Sequence, residues 1–244
     1  MRWSFLLLFA ISIPMWWFFE YMNSIVHNWH YVFASPISPF HYAVQASIDF
    51  STVVPAVLSA AFLVFQLLRR TAKLSSPSLQ ISSSTLMLAI AVSFALFVLL
   101  NLFPKETFPL VWIIPILILE PVSYRICSGA SLLRLIERGK LTLPVSVAAA
   151  TLGTGFWWEC WNFYSLPKWV YTIPYVDFWK IFEMPLLGYL GYPFFGVIVF
   201  SYTSLALHVV ARQNLVELFS DSLGPLPAAL VRPNDAMRRA EPRP

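Results

Sequence analysis

Long apolar runs fill most of this 244-residue chain and constrain its fold more than any other feature. A helix needs about 20 consecutive apolar residues to cross the hydrocarbon core of a membrane. Six windows approach or exceed that length, at residues 3–22, 46–68, 82–103, 108–126, 142–162 and 184–210. The sequence therefore predicts an all-α, polytopic membrane bundle of about six transmembrane helices.

The composition excludes a soluble domain. The chain is 58% hydrophobic and only 11% charged, whereas soluble domains carry roughly 25% charged residues. Its net charge of +4 comes from basic residues in short loops and a tail, where they set membrane topology. No nucleic-acid partner is predicted.

The basic residues also predict the orientation, because lysine and arginine are retained on the cytoplasmic side. Only Lys105, Lys168 and Lys180 fall in the outer connections. Both termini are therefore predicted in the cytoplasm of a bacterial or archaeal type of plasma membrane. Residues 1–212 would form the transmembrane domain, with the amphipathic segment 127–140 on its inner surface. Residues 213–244 would form a short amphipathic piece and then a disordered cytoplasmic tail.

Two stretches of the chain carry similar polar and aromatic residues at almost the same spacing. The first holds Glu20, Asn23, Trp29 and Tyr31, and the second holds Glu159, Asn162, Trp169 and Tyr171. Each set follows an apolar run with a tryptophan pair and precedes another run that bears an acid, Asp49 or Glu183. This pattern predicts a parallel internal repeat of helices 1–2 and 5–6, with copies at 16–68 and 155–210.

The predicted topology places all four acids and most tryptophans toward the outer face. Tryptophan and tyrosine favour the membrane–water interface, but so many on one side indicate an outward cavity with aromatic walls. The connections 24–42 and 163–180 would be re-entrant or lie in the headgroup region. Cys127 and Cys160 would lie near opposite faces and could not form a disulfide.

Glu20 and Glu159 are the first candidates for chemistry. A carboxyl in an apolar setting has its ionised form disfavoured, so it can hold a proton for general acid catalysis at neutral pH. Alternatively, each acid reaches water at a helix end, or pairs with its neighbouring asparagine or a lysine. Glu183 and Asp49 permit a further interpretation, as acids that stabilise the N-terminus of a helix.

The remaining polar residues offer weaker candidates. His27, His30 and His41 could bind a metal with Glu20, but the second copy has no histidine, so no metal or cofactor is predicted. Glu120 is expected to form a local ion pair with Arg125, beside a bend at Pro121. Aromatic faces could stabilise a cation, or simply anchor the helices at the interface.

Glu159 followed by Trp169-Val-Tyr171-Thr172 resembles the Glu and Tyr-x-Tyr-Thr pattern of carotenoid hydratases. The two-half, six-helix organisation with membrane acids also resembles the small lycopene cyclases. The similarity covers mainly residues 153–205. It implies a membrane enzyme that protonates an end-group double bond of a polyene, with Glu159 as proton donor and Glu20 as its counterpart. The Gly-Pro-Phe-Gly of the hydratases and the Pro-x-Glu-Glu of the cyclases are absent, and Trp169 replaces the first tyrosine.

Two functional hypotheses follow. In the first, the chain modifies an isoprenoid or carotenoid: Glu159 protonates the ligand and Glu20 or Glu183 assists. The binding residues would then be Asn23, Asn162, Trp29, Trp169, Tyr31, Tyr171 and Asp49. In the second, the chain is a non-catalytic subunit that binds pigment or lipid, or a small transporter-like carrier. Both hypotheses imply a hydrophobic ligand, and both leave open a homo-oligomer or a larger membrane complex.

Overall fold

The computed structural model describes residues 2–71, 74–127 and 131–221, and these residues are mostly helical. The ten α-helices of this part are α1 Arg2–Val26, α2 Pro39–Phe50, α3 Val53–Thr71, α4 Ser83–Leu102, α5 Pro104–Thr107, α6 Leu110–Ile126, α7 Leu132–Glu137, α8 Thr142–Phe163, α9 Gly191–Ala211 and α10 Leu215–Asp221. Two short ribbons pair β1 Trp29–Val32 with β2 Lys168–Tyr171, and β3 Lys180–Ile181 with β4 Met184–Pro185. The predicted helical fold class is confirmed.

Four segments of the described chain are long and apolar enough to cross a membrane: Phe5–Val26, Pro39–Thr71, Ser83–Leu102 and Leu186–Ala211. The chain is therefore compatible with an integral membrane protein. The predicted fourth window is α6, which is short at 17 residues, and the predicted fifth is the 22-residue α8. Neither is among the four segments. The predicted disordered tail lies outside the described residues.

The predicted second span contains a break between α2 and α3. Pro55 has no N–H, and its ring would clash with the carbonyl of residue 51 in a continuous helix. Ser12 of α1 donates to the carbonyl of Phe50 and accepts from the N–H of Val54. The backbone groups next to the break are thus satisfied by a buried hydroxyl.

The core of the bundle forms around α9. This helix packs against α1, α3, α6 and α8, and α8 also packs against α3. Phe195, Val199 and Phe200 of α9 are almost completely buried, together with Phe19 of α1 and Val57 of α3. Contacts between these large side chains hold α1, α3 and α9 together.

The last predicted window agrees with the apolar segment Leu186–Ala211, but the helix does not open at Glu183. Residues 180–185 form the β3–β4 hairpin, and a 3₁₀-helix at Leu186–Leu190 leads into α9. Glu183 lies in the hairpin turn and not at a helix N-terminus. Asp49 lies near the C-terminal end of α2, so the capping interpretation is wrong for it too.

Glu120 also differs from its prediction. Its side chain is 5% exposed and accepts hydrogen bonds from the Ser131 hydroxyl at 2.7 Å, the Leu133 N–H at 2.8 Å and the Ser201 hydroxyl. Arg125 instead donates to the Ser83 carbonyl. The carboxylate thus ties α7 and α9 to α6, because a buried charge needs several donors.

Candidate functional site

The two similar stretches of sequence meet at one end of the bundle, through the ribbon of β1 and β2. The strands are antiparallel, and Trp29 pairs with Tyr171 while Tyr31 pairs with Trp169. Strand β1 follows directly after α1, and β2 follows soon after α8. Glu20 and Glu159, in the last two turns of these helices, therefore lie toward the same end of the molecule.

An asparagine holds each strand to its helix by the same pair of bonds. Asn23 donates to the Trp29 carbonyl at 2.8 Å and accepts from the Trp29 N–H at 3.1 Å. Asn162 donates to the Trp169 carbonyl and accepts from the Trp169 N–H, both at 2.8 Å. A primary amide has both an NH2 donor group and a carbonyl acceptor, so it satisfies the N–H and the carbonyl of a strand residue on the side where no further strand is present. The predicted binding residues Asn23 and Asn162 thus act as backbone clamps.

We call the first group of contacts the Glu20 cluster. Oε1 of Glu20 accepts from the Tyr31 hydroxyl at 2.6 Å, the Trp16 indole at 3.1 Å and the Trp29 indole at 3.2 Å. Trp16 lies one helical turn before Glu20, whereas Trp29 and Tyr31 come from β1. The acid is thereby held by donors from both its own helix and its own strand.

The second group is the Glu159 cluster. Oε1 of Glu159 accepts from the Tyr171 hydroxyl at 2.7 Å and from the Tyr192 hydroxyl at 2.5 Å. The Trp169 indole donates to the Tyr171 oxygen at 2.9 Å. Glu159 is 0% exposed, and its Oε2 has no hydrogen-bond partner among the described residues. This oxygen is an unsatisfied polar atom in a buried position, which native proteins seldom keep without a reason.

The two strand tyrosines remain protonated donors over a wide pH range. Burial, together with the charge of Glu20, raises the pKa of Tyr31 far above its usual value. Burial also raises the pKa of Tyr171, and the neighbouring Tyr192 and Glu159 add to the shift. Desolvation and a nearby carboxylate both disfavour a phenolate. At neutral pH, these hydroxyls therefore supply protons to hydrogen bonds.

A cavity of about 300 Å³ lies between the two clusters. Twelve of its 22 lining residues are aromatic, and they come from both copies as well as from α2, α6 and α9. Those from the two clusters are Trp16, Trp29, Tyr31, Trp169, Tyr171 and Tyr192. Its volume is at the lower end of the roughly 300–1,000 Å³ typical of small-molecule pockets. The walls suit a flat, unsaturated or cationic group.

The four predicted acids take different places around this cavity. Asp49 lies in its wall. Glu20 and Glu159 stand behind the wall and contact the cavity through their tyrosine donors. Glu183 forms an ion pair with Lys168, another wall residue. The structure thus gathers all four acids around one space, but only Asp49 faces it directly.

Several residues of the site are not among the four positions that match between the two similar stretches. Tyr42 of α2, Trp112 of α6 and Tyr192 of α9 reach the cavity from other helices. A partial signal for Tyr192 is Gly155, since a Cβ at that glycine would lie 2.5 Å from the Tyr192 ring. A glycine one turn before a buried acid marks a place where another side chain can enter.

The three predicted histidines are not among the residues that line the cavity, although His30 lies on β1 between Trp29 and Tyr31. His27 ends α1 in a left-handed conformation, with φ of 54°, and His41 contacts the Ser38 hydroxyl. Over the described ranges, no three side chains of His, Cys, Asp or Glu are grouped as a metal site requires. Cys127 and Cys160 are both free thiols.

Comparison with known proteins gives no match, whether with protein-family models, with curated proteins or with solved structures.

Proposed function

We propose that this chain is a membrane protein that binds the end group of an isoprenoid or carotenoid-type polyene in the aromatic cavity and protonates it with Glu159. The supporting observation is the Glu159 carboxyl itself. It is fully buried, none of the described basic side chains pairs with it, and one of its oxygens has no partner. A carboxyl in such surroundings favours its neutral form, which is the form that acts as an acid.

The contacts of Glu159 supply the path for the proton. Tyr171 and Tyr192 each contact the carboxyl and line the cavity. For the transfer, one of these hydroxyls turns from donating to Glu159 to accepting the Glu159 proton, and in the same step gives its own proton to a carbon of the double bond. The π-electron pair forms the new C–H bond and leaves a carbocation on the neighbouring carbon. Loss of a proton after ring closure, or addition of water, returns one proton to the carboxylate, so none is consumed.

The cavity walls suit the intermediate of this reaction. The negative face of an aromatic ring attracts a carbocation, as it attracts other organic cations. The aromatic residues of both copies surround the space where the charge would form. The cavity volume of about 300 Å³ suits an end group, so the rest of a long chain would extend outside it, toward the lipid.

The proposal includes six membrane crossings. We place α6 and α8 across the membrane as well, because α6 packs between α4 and α9, and α8 packs between α3 and α9. Six crossings would put both termini in the cytoplasm, in keeping with the distribution of basic residues. The matching asparagine clamps and acid–tyrosine bonds of the two clusters support an origin by internal duplication.

Isosteric substitutions test the proposed chemistry. In a polyene-producing host, Glu159→Gln should lower conversion of the pigment by about 10²–10⁴-fold, the usual contribution of a general acid. Glu20→Gln should retain most of the conversion, because Glu20 is less buried and already accepts three bonds. Glu106→Gln, at an exposed acid of α5, is the matched control. An unchanged pigment profile with both Glu159→Gln and Glu20→Gln would refute the enzymatic proposal.

A second candidate is a non-catalytic subunit of a membrane complex. The observation in its favour is a set of exposed aromatic side chains near the same end, among them Trp157, Trp161, Tyr164 and Trp179, each at least 56% exposed. Such residues anchor proteins at an interface or contact a partner. Under this function, Glu159→Gln and Glu20→Gln would change the size of the assembly in a native gel, without a change in any pigment.

A further inference from the structure

The cavity wall contains charged side chains that have no role in the proposed proton transfer. Apart from tyrosines, Asp49 and Lys168 are the ionisable residues among those that line the cavity. Lys168 is neutralised by its ion pair with Glu183. The Asp49 carboxylate, in contrast, has no hydrogen bond or ion pair with any side chain in the described part of the chain. The wall therefore presents one uncompensated negative charge.

This charge lies at a polar edge of an otherwise aromatic space. Gln45 and Asp49 are four residues apart on α2, so they share one face of that helix, and both line the cavity together with Thr52. Asp49 is exposed, so it marks the place where the cavity reaches the outside of the protein. A ligand with one charged end would meet Asp49 first and place the remainder against the rings.

We propose that the mouth of this cavity binds an organic ammonium group, with Asp49 as its counter-ion and the surrounding tryptophan and tyrosine rings as its walls. Aromatic faces attract quaternary ammonium groups through their quadrupole, and this attraction strengthens where water is excluded. Tyr31, Tyr42, Trp158 and Trp169 belong to the same lining as Asp49. An anionic ligand is disfavoured, since Lys168 is already paired and Asp49 would repel it.

The ammonium group has two chemical sources: a free cation, or the headgroup of an amphiphile whose chain stays in the lipid. The inference does not depend on acid catalysis by Glu159, because it rests on Asp49 and the ring faces alone. A charged ligand bound in this way would be recognised whether or not the protein modifies it.

A binding experiment with a neutral isostere tests this inference. Purified protein in a non-ionic detergent is titrated by calorimetry and tryptophan fluorescence with choline and with 3,3-dimethylbutan-1-ol, which has the same shape without the charge. Choline should bind at least about tenfold more tightly, the preference expected for roughly 1.4 kcal/mol of cation-specific attraction. Dodecyltrimethylammonium and dodecanol form the second pair, for the lipid source.

The variants identify the counter-ion. Asp49→Asn should remove the preference for the cation in whichever pair shows it. Asp49→Glu keeps the negative charge and should keep the preference, which shows that substitution at this position does not unfold the site. Asp177→Asn, at an acid paired with Lys180 outside the cavity, is the matched control and should change nothing.

The outcomes separate the two proposals. Equal affinity for the charged and neutral members of both pairs, or a preference that survives Asp49→Asn, overturns the ammonium site. Either result leaves the polyene proposal standing, because that proposal is tested by Glu159→Gln. A preference in the dodecyl pair alone assigns the site to a lipid headgroup, and a preference for choline assigns it to a free cation.

Discussion

The Glu20 and Glu159 clusters have the same arrangement of acid, asparagine and tyrosine, and they differ in the residue one turn before the acid. In each, an asparagine three residues after the acid clamps a strand, and the tyrosine of that strand donates to the acid. The residue one turn before the acid differs. It is Trp16 in the first cluster, where its indole donates to Glu20, and Gly155 in the second.

The exchange explains why the two acids have different surroundings. Without a side chain at Gly155, the Tyr192 ring of α9 occupies that space and donates to Glu159 in place of the missing indole. The second acid is thereby covered by a neighbouring helix and is fully buried, whereas Glu20 remains partly exposed. A single small residue thus changes a partly hydrated acid into a buried one.

Of the proposed variants, those that remove an asparagine clamp should lower the free energy of unfolding most. Asn162→Ala leaves the N–H and the carbonyl of Trp169 without partners, so we expect a loss of about 2–3 kcal/mol in the free energy of unfolding. Asn23→Ala should cost somewhat less, since Asn23 is 9% exposed against 2% for Asn162 and water can replace part of the clamp. Titration with SDS in mixed micelles measures both values.

The exposed Asn101 provides the control for these variants. It donates to the Phe97 carbonyl of its own helix, and Asn101→Ala should stay within about 0.5 kcal/mol of the unchanged protein. If Asn162→Ala is as stable as Asn101→Ala, the ribbon does not need the clamp, and the two clusters share less than their contacts indicate.

Much of this arrangement could be predicted from the sequence, because it depends on local patterns. The helices coincide with long apolar runs, whose length and hydropathy are properties of one segment. The four paired positions of each copy also share a spacing, and the structure places both sets at one end of the bundle. Asp49 and Glu183 were predicted near the same site, and they do border the cavity or contact its wall.

The remaining features depend on contacts that are distant in sequence. The strands WHYV and KWVY have four residues each, which is too short for a reliable alternating pattern, and their partners are about 140 positions apart. Glu120 was predicted to pair with Arg125, five residues away, but one of its donors is Ser201, 81 residues away. Tyr192 enters the second cluster from α9, a separate helix, so the four matched positions do not include it.

Substitution of Gly155 tests whether the missing side chain makes room for the Tyr192 ring. In Gly155→Ala, the new methyl would lie 2.5 Å from the Tyr192 ring, which is held by its bond to Glu159. The ring must move, and we expect a cost of about 1–2 kcal/mol from overpacking, with a fall in any activity that depends on Glu159. Gly153→Ala is the matched control in the same helix, because nothing lies within 4 Å of its new methyl. That variant should be neutral or slightly more stable, as alanine favours helices.

The smallest expected effect is the response of the two strand tyrosines to alkaline pH. In the folded protein, burial raises the pKa of Tyr31 and Tyr171 above the usual 10.0. The unfolded chain therefore releases these protons first, and the stabilisation present below pH 10 declines as the pH rises further. Each tyrosine contributes at most about 1.4 kcal/mol per pH unit to this decline.

Phenylalanine substitutions isolate that contribution. Tyr31→Phe and Tyr171→Phe should each flatten the decline of thermal stability between pH 9.5 and 11, at approximately constant ionic strength, since neither variant has a proton to lose. Tyr164→Phe serves as control, because Tyr164 is 78% exposed and should leave the slope unchanged. The two variants should flatten the decline by the same amount, since burial keeps the folded-state pKa of both tyrosines above this pH range. An unchanged decline in either variant would mean that its hydroxyl reaches water in the folded protein and titrates there as it does in the unfolded chain.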